Sequence, residues 1–346
     1  MKKPLKGDWE KLYQTTLKFY QMAPWTWMED EDLFAVENPV GGELGYCSIL
    51  GHGQETFGMD IFLGDQGYAR YLEIISSKSA AEDSEETLMT PTLLLLFGKR
   101  TELQKEELEV IHSLGLQFRG KNAWPLFRSL RPGYAPYFLE KEEAVYFTAT
   151  LEQALVVADK VRREGLDLFE EVDEDLVFTR YYRNGEWKEE WRRPKYLPPD
   201  ISPKSEPASA TNEAELLLLR NSAGKLDGSW EMDIFTLPFA TGPASQRPYF
   251  PLCFLAVDRK QGLIVNTGCT ESWLSPSQKQ DTVLQILKKA RPLPQEIWVK
   301  SAKIKAVIEP ITHSLGINLR IGSLSLLEEV KASLHDHLSR HMLKHQ

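Results

Sequence analysis

Apolar and polar positions alternate with two different periods along this chain, and the switches between them predict its elements. Trp9, Leu12, Tyr13, Leu17 and Tyr20 recur every three to four residues after Asp8, a residue suited to an N-cap, so a helix is expected that Pro24 ends. Leu33–Val36, Leu44–Leu50, Phe57–Leu63 and Leu93–Phe97 have strand length and bulk. Gln66–Ile75 reads as a helix. Thr101 with Gln104 reads as a capping box for a further helix that stops near Gly115. Leu139 to Arg163 carries helical spacing up to Gly165, and Asn184-Gly185 joins two strands, Leu176–Tyr182 and Glu186–Trp191, as a hairpin. The first half is therefore expected to be an α+β domain.

The second half has a different rhythm. Strands are expected at Trp230–Phe235, Pro248–Asp258 and Leu263–Thr270, close together and so antiparallel. A helix begins at Ser275-Pro276, with proline near its first position. A strand Glu296–Lys300, a helix Lys303–Leu315 stopped by Gly316, a strand Ile317–Ile321 and a last helix capped by Ser323 or Ser325 follow. The predicted order is βββαβαβα, an α/β domain with a mixed five-stranded sheet. Between the halves, residues 194–212 hold five prolines with serine and alanine, which suits an extended linker. The expected domains are 1–193 and 213–346.

Composition adds limits. The 346 residues are 42% apolar and 26% charged, ordinary for a globular chain and long enough for two domains. No run approaches 18 consecutive apolar residues, and no signal-peptide core follows Met1-Lys2-Lys3-Pro4, so no membrane association is expected. Cys47, Cys253 and Cys269 are too few and scattered for a disulfide framework or a cysteine zinc site, which makes a reducing cytoplasm the simplest setting. The net charge of −9 divides unevenly: residues 1–193 carry 23 Lys and Arg against 35 Asp and Glu, while residues 211–346 carry 16 against 13.

Three first-half segments carry residues suited to chemistry. Gly45 to Gly53 is glycine-rich but lacks the spacing and lysine of a phosphate loop, so a strand and turn are expected. Glu29 to Asp32 reads as a solvated acidic turn. Arg119, Trp124, Arg128 and Arg131, interleaved with further aromatics and prolines, form a possible ligand segment for anionic or flat molecules, set against an irregular loop packed by its own rings. Trp25 to Met28, Leu33 to Pro39 and Gly45 to Gly51 resemble an uncharacterised bacterial domain family, which supplies no mechanism.

In the second half, Trp230-x-Met232-Asp233, Leu255-Ala256-Val257-Asp258-x-x-x-Gly262, Pro294-x-Glu296-Ile297-Trp298-Val299 and Leu315-Gly316-Ile317 resemble the ribonuclease H-like fold in its integrase and transposase branch. The resemblance covers about residues 226–340. It implies three carboxylates that hold two divalent metals for phosphodiester transfer. Asp233 matches the first acid. After the fourth strand, where the second belongs, stand Lys300-Ser301-Ala302-Lys303, with no carboxylate. The third would lie on the last helix, where Glu328, Glu329 and Asp336 are available. The pattern therefore reads as degenerate: a partner-binding protein without catalysis of its own, with no metal or other cofactor and an unidentified protein partner.

Two alternatives stand beside it. One is a magnesium-dependent nuclease or strand-transfer enzyme with rearranged ligands, Asp233 and Asp258 joined by Glu328 or another last-helix acid. The other is nucleic-acid binding through a basic face of Lys288, Lys289, Arg291, Lys300, Lys303 and Lys305, which the acidic first half disfavours. The histidines from His335 to His345 are read as a charged helix end rather than a metal site.

Overall fold

A computed structural model describes residues 2–76, 90–165, 176–194, 212–243, 246–271, 274–290 and 292–342, with side chains through Leu334. Two compact units result, Met1–Pro199 with Pro243–Pro248, and Asp200–Gly242 with Tyr249–Gln346. The acidic stretch 77–89 and most of the proline-rich 194–212 lie outside the described residues.

The first unit runs α1 (Lys6–Met22), β1 (Phe34–Glu37), β2 (Leu44–Leu50), β3 (Phe57–Leu63), α2 (Gly64–Ser76), β4 (Thr92–Gly98), α3 (Lys105–Ser113), β5 (Trp124–Leu130), α4 (Lys141–Glu164), β6 (Val177–Arg183) and β7 (Glu186–Arg192). The strands form one seven-stranded mixed sheet in the order β5-β4-β3-β2-β1-β6-β7. Only β1 and β6 pair in parallel; every other neighbour is antiparallel.

Period-two alternation divides its side chains between two layers. Phe34, Val36, Cys47, Ile49, Met59, Ile61, Leu93 and Leu95 face the larger core under α1 and α4. Ala35, Tyr46 and Phe62 face the smaller one under α2. Tyr146 of α4 reaches across to donate to the Val36 carbonyl at 2.7 Å. Gly45 makes room for it, since a Cβ there would lie 2.3 Å from the Tyr146 hydroxyl. Asn184 and Gly185 both take positive φ, which the tight β6–β7 turn requires.

Several expectations are corrected here. Asp8 is not the cap of α1. The helix starts at Lys6, and Asp8 accepts the Leu5 N–H from the third helical position. Thr101 does not cap α3 either; it lies in a 3-10 turn, and Gln104 precedes the helix with its N–H on Glu107. The segment expected as an irregular loop contains strand β5. Pro125 is tolerated because β5 is the sheet's outer strand, where a missing N–H costs no ladder bond. Its outer side is covered by Tyr137, which exchanges two backbone bonds with Ser129, and by Arg247, which donates to the Ser129 carbonyl at 2.8 Å and hydroxyl at 2.9 Å.

The second unit runs α5 (Glu213–Ser222), β8 (Ser229–Thr236), β9 (Leu252–Asp258), β10 (Ile264–Thr270), α6 (Pro276–Lys288), β11 (Glu296–Val299), α7 (Ala302–Leu315), β12 (Asn318–Ile321) and α8 (Ser325–Met342). Its sheet order is β10-β9-β8-β11-β12; β8–β9 and β9–β10 are antiparallel, β8–β11 and β11–β12 parallel. Helices α5, α6 and α7 cover one face through Trp230, Met232, Phe254, Ala256 and Ile297. Leu324 and Leu327 of α8 pack on Leu255 and Val257 of the other.

The cysteines also depart from expectation. Cys253 and Cys269 stand directly opposite in the β9–β10 register and form a disulfide, with Cα atoms 4.3 Å apart. The cysteine count therefore no longer argues for a reducing compartment. No helix among the described residues is long and apolar enough to cross a membrane.

Asp60, in the middle of β3, has a carboxyl oxygen buried without a hydrogen-bond partner. Burial pushes its pKa from 3.8 up to about 7. The folded protein therefore holds a proton that the unfolded chain releases, and the associated stability falls as pH rises from about 4 to about 7. Asp60→Asn is expected to flatten that decline and to melt above the wild type at pH 8. Thermal melts across this range check it, and parallel curves for the two proteins would contradict it.

Candidate functional site

Strand β8 decides what the second unit offers chemically. Alternation sends Trp230, Met232 and Ile234 into the core and turns Glu231 and Asp233 to the face covered by α8. Both carboxylates are buried, Glu231 completely and Asp233 with 2% exposure. Both are also engaged. Glu231 accepts the Leu327 N–H at 2.8 Å in the first turn of α8, and its other oxygen lies 3.5 Å from Arg259. Such a carboxylate satisfies an otherwise unpaired helix N–H and suits the positive helix end.

Asp233 accepts the Ile234 N–H at 2.9 Å with one oxygen and the Lys331 ammonium with the other. Lys331 lies one helical turn beyond Glu328 and 3.6 Å from its carboxylate, and Lys300 meets the same carboxylate at 3.0 Å. The result is a row Asp233–Lys331–Glu328–Lys300, two anions alternating with two cations. Burial opposes the Glu328 charge, but the two lysines outweigh it and hold its pKa below the usual carboxylate range.

Asp258 does not join this row. It pairs with Trp230 in the β8–β9 register, whereas Asp233 pairs with Leu255. Three residues of strand separate them by about 10 Å, and the odd offset puts Asp258 on the opposite face. Its carboxylate accepts the Lys260 and Gln261 N–H groups at 2.8 and 2.7 Å and closes the turn after β9. The three acids of the rearranged-ligand alternative therefore do not converge. Among the described residues, no group of three or more His, Cys, Asp and Glu is placed to hold a metal ion. The histidines from His335 onward lie beyond the described side chains.

The basic run is not one surface. Lys288 pairs with Glu215 of α5 at 2.5 Å on the core-helix face, while Lys300 pairs with Glu328 of α8 on the other. Lys305 pairs with Glu309 one turn along α7, Lys289 caps the end of α6, and Lys303 stands in the first turn of α7. Arg291 lies outside the described residues. The expected single face is thus divided by the sheet.

The ligand segment also divides. Arg128 is clamped by Glu107 at 2.5 Å and lies over Phe138; Arg131 is held by Glu140 at 3.0 Å and Glu143 at 2.7 Å. Arg119 and Trp124 instead line a cleft of about 420 Å³. The residues not anticipated are Glu231 and Lys331. Glu328-x-x-Lys331 was visible as a helical pair, but nothing in spacing said that Lys331 would point to β8.

Comparison with known proteins finds a different family model matching each half. Residues 9–180 match the domain of unknown function DUF7309, and residues 217–335 match the domain of unknown function DUF6930. No curated protein matches the chain. Among solved structures, the HTLV-2 integrase catalytic core domain in complex with magnesium, dimeric form, is similar at 16% identity and TM-score 0.27, over 35% of this chain and 76% of that one. Its trimeric form gives 13% and 0.25 over 34% and 74%. The simian T-cell lymphotropic virus intasome in complex with PP2A regulatory subunit B56 gamma gives 16% and 0.27 over 34% and 42%.

Removing one partner of a buried ion pair strands the other, which costs about 3 kcal/mol or more. Lys331→Ala is therefore expected to destabilise the second unit by about 3 kcal/mol. Asp233→Asn combined with Lys331→Met should recover most of that loss. Denaturant unfolding, with hydrogen exchange of the β8 and α8 amides to identify the unit, measures both; a double variant no more stable than Lys331→Ala would count against the pair.

Proposed function

We propose that the second unit is a ribonuclease H-like domain in which an ion-paired row replaces the metal centre, and that the protein acts through binding a protein partner rather than through catalysis. The topology supports the fold: three antiparallel strands with the first, β8, at the centre of the sheet, then two parallel strands each reached through a helix. The observation that carries the function is the Lys331 ammonium on Asp233, the acid that the resemblance makes the first metal ligand.

In an active site of this class, several carboxylates together neutralise two divalent ions. Here the available acid already holds a cation, and the second position is a lysine, Lys300, committed to Glu328. A divalent ion within about 4 Å of the Lys331 ammonium would be repelled by several kcal/mol even at an effective dielectric of about 20. The residues present do not fit magnesium, so no hydrolytic step is assigned to them.

Titration calorimetry of the full chain with Mg²⁺ and Mn²⁺ is expected to show no saturable site that Asp233→Asn removes. Incubation with single- and double-stranded DNA and RNA is expected to show no metal-dependent cleavage that the same variant abolishes. A stoichiometric metal site, or cleavage, lost in Asp233→Asn would overturn the reading.

A further inference from the structure

The first unit contains an arrangement that the proposed function does not use. Arg100, in the 3-10 turn after β4, lies with its guanidinium 5.8 Å from the centroid of Trp124. Phe118 stands 5.6 Å from the same ring, tilted by 55°. Together with Leu108, Ile111 and the exposed Arg119, these groups enclose the cleft of about 420 Å³. That volume lies in the range of small-molecule sites.

Its charge is one-sided. Among the described residues, no aspartate or glutamate lines it. Among the described residues, neither Arg100 nor Arg119 has a carboxylate within salt-bridge distance, in a unit where Arg128, Arg131, Arg180 and Arg183 each have one. The end of α3 nearby brings backbone carbonyls, of which Val110, Ile111 and His112 accept the N–H groups of Leu114, Leu116 and Gly115. Two unneutralised guanidinium groups therefore flank a floor that is aromatic at one side and aliphatic at the other.

We infer that this cleft binds a small planar aromatic molecule carrying an anionic group, a phosphate or a carboxylate. The ring would pack against Trp124, Leu108 and Ile111, and the anion would be taken by Arg100 and Arg119. Guanidinium groups suit both parts, since they pair with oxyanions in a fork and stack on ring faces.

Titration calorimetry of the full chain with two charged probes, adenosine 5′-monophosphate and 2-naphthoate, tests this. Adenosine, 2-naphthylmethanol and inorganic phosphate serve as counterparts that lack one feature each. Saturable binding of at least one charged probe at one site per chain is expected, and which probe binds separates phosphate from carboxylate. Its affinity should fall roughly tenfold in Arg100→Gln and in Arg119→Gln, as loss of a charge-assisted contact implies. Both positions are exposed, so these variants keep the fold, which unchanged melting would verify. No saturable binding of either charged probe would overturn the inference. So would unchanged affinity in both variants, or an uncharged counterpart binding as tightly as its charged probe.

Discussion

A carboxylate taken out of water must be given a donor or a cation, and that constraint organises both units. On β8 two such groups stand two residues apart on one face, and a single helix answers both. The backbone of α8 supplies an N–H to Glu231, and one turn later its Lys331 supplies an ammonium to Asp233. Leu324 and Leu327 would hold α8 against Leu255 and Val257 by apolar burial alone, but apolar contact tolerates sliding. The two polar contacts fix the helix along its axis and about it, because only one position satisfies both. The same rule operates in the first unit. Glu37 on β1 is met by Arg183 of β6 and Arg192 of β7, Glu107 ties α3 to Arg128 of β5, and Glu143 ties α4 to Ser129 and Arg131. Asp60, with one buried oxygen lacking such a partner, holds its proton to a higher pH instead.

This constraint bears directly on what β8 can do. Asp233 spends its charge on holding a helix in place, and the helix that bears the neutralising lysine cannot leave without exposing a buried charge. On the proposed reading, the position that would bind metal in a ribonuclease H-like enzyme has become part of the packing between sheet and helix. Trp298, whose indole donates to Glu296 at 2.6 Å with Arg259 and Arg320 over its ring, belongs to the same tightly paired surface. Gly322 gives that ring its space, since a Cβ there would come within 2.6 Å of it.

Much of the fold was legible in the sequence because it follows from local rules. The Asn184-Gly185 turn, the Ser275-Pro276 helix start and the Gly316 stop each depend on residues within a few positions of one another. What escaped depends on pairing between distant segments. Strand β5 was obscured by Pro125 and by arginines that read as loop chemistry, and only its edge position makes the proline harmless. The Cys253–Cys269 pair is set by the β9–β10 register, which sixteen residues of sequence separation do not announce. For the site, the sequence singles out Asp233, Glu328 and Asp258 alike. Whether they meet depends on strand parity, which excludes Asp258, and on the direction of a lysine on another element.

Charge shows the same division between composition and arrangement. Summed over each half, it directs attention to the second for anions, since the first is strongly acidic. Position by position the picture reverses. In the basic half, Lys288, Lys300, Lys305 and Lys331 are each matched to a carboxylate and spread over two faces of a sheet. In the acidic half, Arg100 and Arg119 face a cleft whose lining holds no acid among the described residues. At physiological ionic strength exposed charges act over about 8 Å, so the groups within one cleft outweigh a net charge distributed over a whole domain. Among the described residues, the half whose total is negative therefore still offers an anion two guanidinium groups with no carboxylate at salt-bridge distance.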